Sequence, residues 1–280
     1  MVVGLAGAWG DGVPAHWGAA ALTLLGAVLA HAGANLVNDY HDREADVDNA
    51  GRLTPFTGGS RLIQDGVLEA RAVAVFGYAL LATTGAIGTA LALSGRPQLW
   101  ALGAMGLGLA IAYSAPPLRL SARGIGEFVI AAAWLLVVVG ADVVQRGGWS
   151  PTPLAVGVPI ALLVAAILLA NEFPDRSADA AAGKRTLIVR LGPRRGAHAY
   201  LVLVAAAHLW LAAAVAAGAA PPVALAGLLS APLSLFAARQ LMVHGGRSPT
   251  SLLLPAILAT IAAAHLHGVL VAAALLVATR

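Results

Sequence analysis

The chain has 280 residues, of which 59% are hydrophobic and 11% charged, with a mean hydropathy of +0.83. Soluble domains carry about 25% charged residues, so this composition excludes a water-exposed surface of ordinary size. The absence of cysteine excludes disulfides and thiol chemistry, and a net charge of +4 reflects basic residues sorting to one membrane face and not a nucleic-acid partner.

Residues 1–9 are apolar but too short to cross a bilayer, which takes about 20 residues. No basic stretch precedes them, so no cleavable signal peptide is expected. Spans are predicted at 15–38, 71–93, 98–115, 125–145, 152–173, 196–217, 220–241 and 251–277. The runs are rich in Ala, Leu, Val and Gly without alternation of period two, which points to helices and not to a barrel. The fold class is therefore all-α, a polytopic transmembrane bundle of eight to nine helices. Pro116–Pro117, Pro151/Pro153 and Pro221–Pro222 fall between spans, where proline costs little.

Basic residues separate sharply by loop. One alternate set holds Arg43, Arg52, Arg61, Arg71, Arg119, Arg123, Arg176, Lys184, Arg185, Arg190, Arg194, Arg195, Arg239 and Arg247; the other holds only Arg96, Arg146 and Arg280. This asymmetry predicts that the first set faces the cytoplasm from the inner membrane. Acidic residues do not balance it: only Asp11 and Asp142 fall on the poorer side. Two loops on the rich side, roughly 42–70 and 174–195, are long enough to suggest function.

Those loops open on two acidic clusters. The first runs Asn38-Asp39-Tyr40-His41-Asp42-Arg43-Glu44-Ala45-Asp46-Val47-Asp48, the second Asn171-Glu172-Phe173-Pro174-Asp175-Arg176-Ser177-Ala178-Asp179. Asn38, Asp42 and Asp46 repeat at intervals of four, as do Asn171, Asp175 and Asp179, so each set forms one stripe on a helix. Asp39 joins the first stripe. Each cluster follows an apolar span and precedes Gly and a base, Gly51-Arg52 and Gly183-Lys184-Arg185. The two lie 133 residues apart, near half the chain. This predicts a single domain over 1–280 made of two pseudo-repeats, about 1–123 and 124–280. A lone Asp-x-x-Asp is commonplace on a solvated helix end; two clusters with matched spacing are not.

Carboxylates crowded into one cavity repel, and a divalent cation removes that penalty. Magnesium takes oxygen ligands, keeps waters, and binds one or two carboxylates together with substrate phosphates. Two facing clusters suit two ions gripping a diphosphate, with Arg and Lys neutralising the remaining charge. Departure of diphosphate from an allylic carbon then becomes feasible. A cation transporter is the competing class, but transporters place their ionisable groups near the midplane on broken helices.

Here the sequence resembles the UbiA superfamily of intramembrane aromatic prenyltransferases. Asn38-Asp39-x-x-Asp42-x-x-x-Asp46 matches its first aspartate motif and Asp175-x-x-x-Asp179 its second. Tyr113-Ser114-Ala115-Pro116-Pro117-Leu118-Arg119 followed by Gly124-Ile125-Gly126-Glu127 looks like its segment between helices four and five. The likeness covers essentially the whole chain, although the family starts with a complete first helix and this chain begins inside that region. Asn35-Leu36-Val37-Asn38-Asp39-Tyr40 and Ala182-Gly183-Lys184-Arg185-Thr186-Leu187-Ile188-Val189-Arg190-Leu191-Gly192 look most like the menaquinone-biosynthesis branch. Thr57-Gly58-Gly59-Ser60-Arg61 departs from the pattern of the hydroxybenzoate enzymes. The resemblance implies a polyprenyl diphosphate donor, magnesium, and 1,4-dihydroxy-2-naphthoate as the aromatic acceptor. Alternatives within the class are an ether-lipid glycerol phosphate, 4-hydroxybenzoate, a chlorin or haem.

By this resemblance and by charge, Asp39, Asp42, Asp46, Asp175 and Asp179 are expected to hold magnesium and carry catalysis. Asn38 and Asn171 are expected to orient them or touch phosphate. Arg61, Arg119, Arg123 and Lys184 are candidates for the diphosphate, and Tyr113 for the donor. Asp48 and Asp65 are the nearest candidates for a base. The histidines at 16, 31, 198, 208, 244, 265 and 267 show no ligand spacing and are assigned to packing or surface.

Overall fold

The computed structural model describes residues 1–47, 49, 52, 53 and 55–278; Asp48, Gly51 and Arg280 lie outside them. Among the described residues there are nine α-helices and no strand. They are α1 (Val2–Gly10), α2 (Trp17–Asp42), α3 (Ala70–Leu93), α4 (Gln98–Ser114), α5 (Gly126–Arg146), α6 (Thr152–Ala181), α7 (Leu187–Ala216), α8 (Ala231–His244) and α9 (Leu254–Val277). Seven helical segments are long and apolar enough to cross a membrane, and Gln98–Ser114 is a shorter apolar one. The protein is a multi-pass membrane protein.

The structure corrects four predicted boundaries. Helix α2 runs past 38 to Asp42, and α6 runs past 173 to Ala181; with α7 starting at Leu187 in place of 196, broken at Gly192 where φ is 72°, the long loop expected at 174–195 shrinks to Ala182–Thr186. Charge and an internal Pro174 made that stretch read as a loop. Pro174 removes only one helical hydrogen bond, and Asp175 and Asp179 point their charges at partners instead of lipid. Finally, the predicted span 220–241 begins as a 3-10 segment over Pro222–Ser230 before α8. The long connection after α2 does persist, from Arg43 to Glu69.

Helix α6 is the central column. It packs against α1, α5, α7 and α9, and 61% of its apolar window is buried, against 22% for α2 and α3. The largest apolar cluster joins Leu163, Leu169 and Phe173 of α6 to Ile188, Tyr200, Leu241 and Ile257. A second cluster packs Val3 and Ala6 of α1 against Val138, Val156, Leu211 and Val271. The short apolar start of the chain is thus a buried helix within the bundle. Its glycines permit close approach: a Cβ on Gly4 or Gly10 would run into the backbone carbonyl of Val138 or Leu275.

The connections α2–α3, α4–α5 and α6–α7 meet at one end, where Asp42, Gly58, Ser121 and Lys184 line one cavity. The α8–α9 connection joins them: a Cβ on Gly245 would lie 2.6 Å from the Phe173 ring. The opposite end carries Asp11, Asp142, Arg96 and Arg146. Arg146 donates to buried Asp142 at 3.1 and 3.0 Å and to Asp11 at 2.8 Å, so those acids are neutralised locally.

Candidate active site

The end shared by these connections contains a cavity of about 120 Å³. Both acidic stripes open into it: Asn38, Asp42 and Asp46 from one side, Asn171, Asp175 and Asp179 from the other. The first stripe survives the end of α2 because the Asp46 amide still donates to the Asp42 carbonyl at 3.1 Å, which holds Asp46 one turn beyond Asp42.

Lys184 joins the two stripes. Its ammonium donates to Asp42 Oδ2 at 2.9 Å and lies 3.4 Å from Asp179 Oδ1 and 4.0 Å from Asp46 Oδ1. All four side chains are nearly buried, at 8 to 14% exposure. Burial works against the lysine charge, but Asp42 and Asp179 outweigh it and hold the ammonium above its ordinary range. Burial also pushes the Asp46 carboxyl up to about 6; Lys184 opposes this, and Asp42, Asp175 and Asp179 add to it. Arg119, its backbone in the left-handed region at φ 43°, reaches back to Asp42 at 3.9 Å.

Backbone and amide groups fix the acids. Asn38 Nδ2 donates to Asp42 at 3.1 Å and to buried Ser114 at 2.8 Å, which ties α2 to the end of α4. Asn49 Nδ2 and the Gly58 amide donate to the two oxygens of Asp175, at 2.7 and 3.2 Å. The Ser60 amide donates to Asp39 at 3.3 Å. Gly58 and Gly59 both have positive φ, +76° and +67°, and a Cβ on Gly59 would stand 3.0 Å from Asp46 Oδ2 and 3.1 Å from Asp39 Oδ1. Only glycine lets this turn slip between the two stripes.

The structure therefore brings together Asn38, Asp42, Asp46, Tyr113, Asn171, Asp175, Asp179 and Lys184 around the cavity, with Asp39 and Arg119 at its edge. It sends two other candidates elsewhere. Arg61 pairs with Asp65 at 3.1 Å and donates to the Asp46 carbonyl at 3.2 Å, pinning the loop. Arg123 donates to the Pro117 carbonyl at 2.8 Å. Asp65, held by Arg61 and half exposed, is not among the cavity-lining residues. Sequence reasoning gave no role to Glu172 and Thr186, which line the cavity, or to Asn49. Two histidines, His208 and His267, are buried beside Ser230, away from this site.

The donor set fits a hard cation. The stripes line the cavity with aspartate and asparagine alone, and the Asn171 Oδ1 atom is buried without a hydrogen-bond partner. Among the described residues, no three carboxylate or imidazole groups converge tightly enough to hold an ion by themselves. That is the pattern of magnesium sites, where water and phosphate oxygens complete the shell.

Comparison with known proteins agrees with this geometry. The model of the "UbiA prenyltransferase family" matches residues 1–261. The 1,4-dihydroxy-2-naphthoate octaprenyltransferase of Mycobacterium tuberculosis is 32% identical over 244 residues, 85% of this chain and 79% of that protein. The 2-carboxy-1,4-naphthoquinone phytyltransferase of Synechocystis is 29% identical over 253 residues, covering 88% and 75%. A UbiA homolog from Archaeoglobus fulgidus solved bound to GPP and Mg2+ has a TM-score of 0.65 at 18% identity, covering 96% of this chain and 94% of that one. The chain belongs to the UbiA prenyltransferase family.

Proposed function

We propose that the protein transfers a prenyl group from a polyprenyl diphosphate to 1,4-dihydroxy-2-naphthoate, with magnesium, at a site facing the cytoplasm from the inner membrane. The observation that carries this reading is the meeting of both aspartate stripes on the Lys184 ammonium inside one cavity. Resemblance to naphthoate prenyltransferases over most of the chain supports the acceptor. The one-sided distribution of arginine supports the orientation. The matched stripes support a duplicated domain, with halves 1–123 and 124–280.

In this reading Asp39, Asp42 and Asp46 hold one magnesium ion and Asp175 and Asp179 a second, directly or through water. Magnesium held by these carboxylates would supply Lewis-acid stabilisation of the charge that develops on the diphosphate. Lys184 and Arg119 contact the phosphate oxygens as point charge and fork respectively. Asn38 and Asn171 orient the acids, and Tyr113 packs beside the allylic carbon. Gly58 and Asn49 lock Asp175 so that little reorganisation is needed as charge develops. Arg61 and Arg123 act indirectly, by fixing the loops that carry these groups.

The test is to incubate the purified enzyme with magnesium, a prenyl diphosphate and a panel of aromatic and lipid acceptors. Formation of a prenylated naphthoquinol is expected. Turnover of another acceptor in preference to the naphthoate would overturn the acceptor assignment.

A further inference from the structure

One pair of acids inside the bundle has no part in gripping a diphosphate. Glu127 stands in the first turn of α5 and Glu172 near the end of α6; they are 8 and 6% exposed. The packing of α5 on α6 brings them together: a Cβ on Gly126, next to Glu127, would lie 3.2 Å from Leu168, one turn before Glu172. Neither oxygen of Glu127 has a hydrogen-bond partner. Glu172 Oε2 accepts the Ile188 amide at 3.0 Å, and Glu172 also lines the cavity. Two carboxylates buried this close repel, and one proton held between them removes the repulsion. The pair is then a carboxylic acid and a carboxylate sharing a proton, with capacity for one more.

Its position suits the acceptor better than the donor. Glu172, Asp175 and Asp179 lie at i, i+3 and i+7, on one face of α6. At 1.5 Å rise per residue, Glu172 sits roughly 4.5 Å deeper in the bundle than Asp175 and roughly 10 Å deeper than Asp179. A group bound to the acids through its phosphates places its first carbon at that depth. Tyr113 and Leu168, the latter one turn before Glu172 on α6, also line the cavity, and a Cβ on Gly126, next to Glu127, would lie 3.7 Å from the Tyr113 ring. The lining includes a ring, an aliphatic chain and the Glu172 carboxyl, with Asn171 and Thr186 as further polar groups.

Resting on the prenyl-transfer reading above, we infer that the Glu127–Glu172 pair binds the acceptor hydroxyl ortho to the attacked ring carbon and takes its proton as the new bond forms. The allylic C–O bond breaks and its electron pair leaves with diphosphate. The ring carbon bonds the allylic carbon while the hydroxyl proton passes to the carboxylate of the pair, leaving a ketone at that oxygen. When the ring carbon carries a carboxylate, its C–C electron pair returns to the ring as carbon dioxide leaves. The oxygen then recovers its proton from the pair, and no net proton is consumed. Glu172, which borders the cavity, is the catalytic residue; Glu127 is a positioning residue that keeps the shared proton in place.

The experiment compares wild type, Glu172→Gln and Glu127→Gln on 1,4-dihydroxy-2-naphthoate and on its analogue methylated at the hydroxyl beside the carboxyl-bearing carbon. Binding of the prenyl diphosphate with magnesium is measured separately by calorimetry. Glu172→Gln is expected to lower kcat by roughly 10² to 10³-fold, with diphosphate affinity within about twofold of wild type and Glu172→Asp recovering part of the rate. Methylation should cost wild type a comparable factor and cost Glu172→Gln almost nothing further, because the proton's destination is already gone. A purely structural role would make the two losses multiply, and that outcome, or wild-type kcat in Glu172→Gln, overturns the inference. Glu127→Gln keeps the Ile188 contact intact and carries the test should Glu172→Gln misfold; it is expected to show the same non-additivity more weakly. If wild type prenylates none of the panel, the prenyl-transfer reading fails instead, and the two failures are distinct.

Discussion

Replacing Lys184 by methionine keeps its length and removes the ammonium that sits among Asp42, Asp179 and Asp46. Two of those pairs are close, 2.9 and 3.4 Å, and the side chains are only 8 to 12% exposed. Removing one partner of a buried pair costs about 3 to 5 kcal/mol, since a charge is left uncompensated. Protonation of a carboxyl relieves part of that, so the lower figure of about 3 kcal/mol applies. At roughly 2 to 4 °C per kcal/mol for a chain near this size, the midpoint of thermal unfolding in detergent with EDTA should fall by about 6 to 12 °C. Excess magnesium should restore most of the loss in the mutant and add much less to wild type, whose carboxylates already have a counterion. Turnover should stay low in the mutant even with magnesium, because the phosphate loses its lysine. If Lys184→Met melts together with wild type in EDTA, or its midpoint ignores magnesium, the ammonium is not neutralising the stripes and the site has been misread.

Asp42→Ala or Asp175→Ala should lower prenyl transfer by more than about 10³-fold, on the order of the oxyanion-stabilising groups of other enzymes, with insertion into membranes unchanged by fractionation. Turnover should stop on chelation and return with magnesium, measured as product formed before and after EDTA. Gly59→Ala adds a Cβ at 3.0 and 3.1 Å from Asp46 and Asp39 oxygens in a left-handed backbone, at a cost of about 1 kcal/mol; the magnesium concentration for half-maximal rate should rise several-fold while expression holds. For the metal-free protein the pH dependence has a definite sign. The Asp46 carboxyl, raised from 3.8 to about 6, contributes stability that is complete below pH 4 and is lost as pH rises through 6. Unfolding midpoints measured in EDTA should therefore drop across that window, and saturating magnesium should flatten the curve.

The spans were legible because lipid imposes length and composition on a helix. The two stripes were legible because spacing of four residues has one meaning on a helix. What escaped was where each helix stops. Residues such as Asp175 and Asp179 look like loop when judged by polarity, yet α6 carries them because a polar cavity replaces water around them. Lys184 was legible as a diphosphate candidate following the second cluster, but not as the residue buried between the two stripes. That position depends on the Ala182–Thr186 turn folding back, with the Lys184 amide bonded to the Asp179 carbonyl at 2.9 Å. Asn49 contacts Asp175 across 126 residues, a pairing no local pattern encodes. Glu127 and Glu172 did leave a signal, two acids inside otherwise apolar helices, where an ionisable group is expensive unless used.

The unequal burial of the helices divides the work of the site. The second stripe rides on α6, the most enclosed helix of the bundle, while the first hangs from α2, which leans chiefly on α3 with most of its surface turned outward. One jaw is held on all sides and the other on few. Elements with few packed neighbours open at the smallest free-energy cost, so on the prenyl-transfer reading proposed above any widening of the site is expected at the α2–α3 hairpin. The glycine turn and the lysine are the contacts that tie that hairpin to α6.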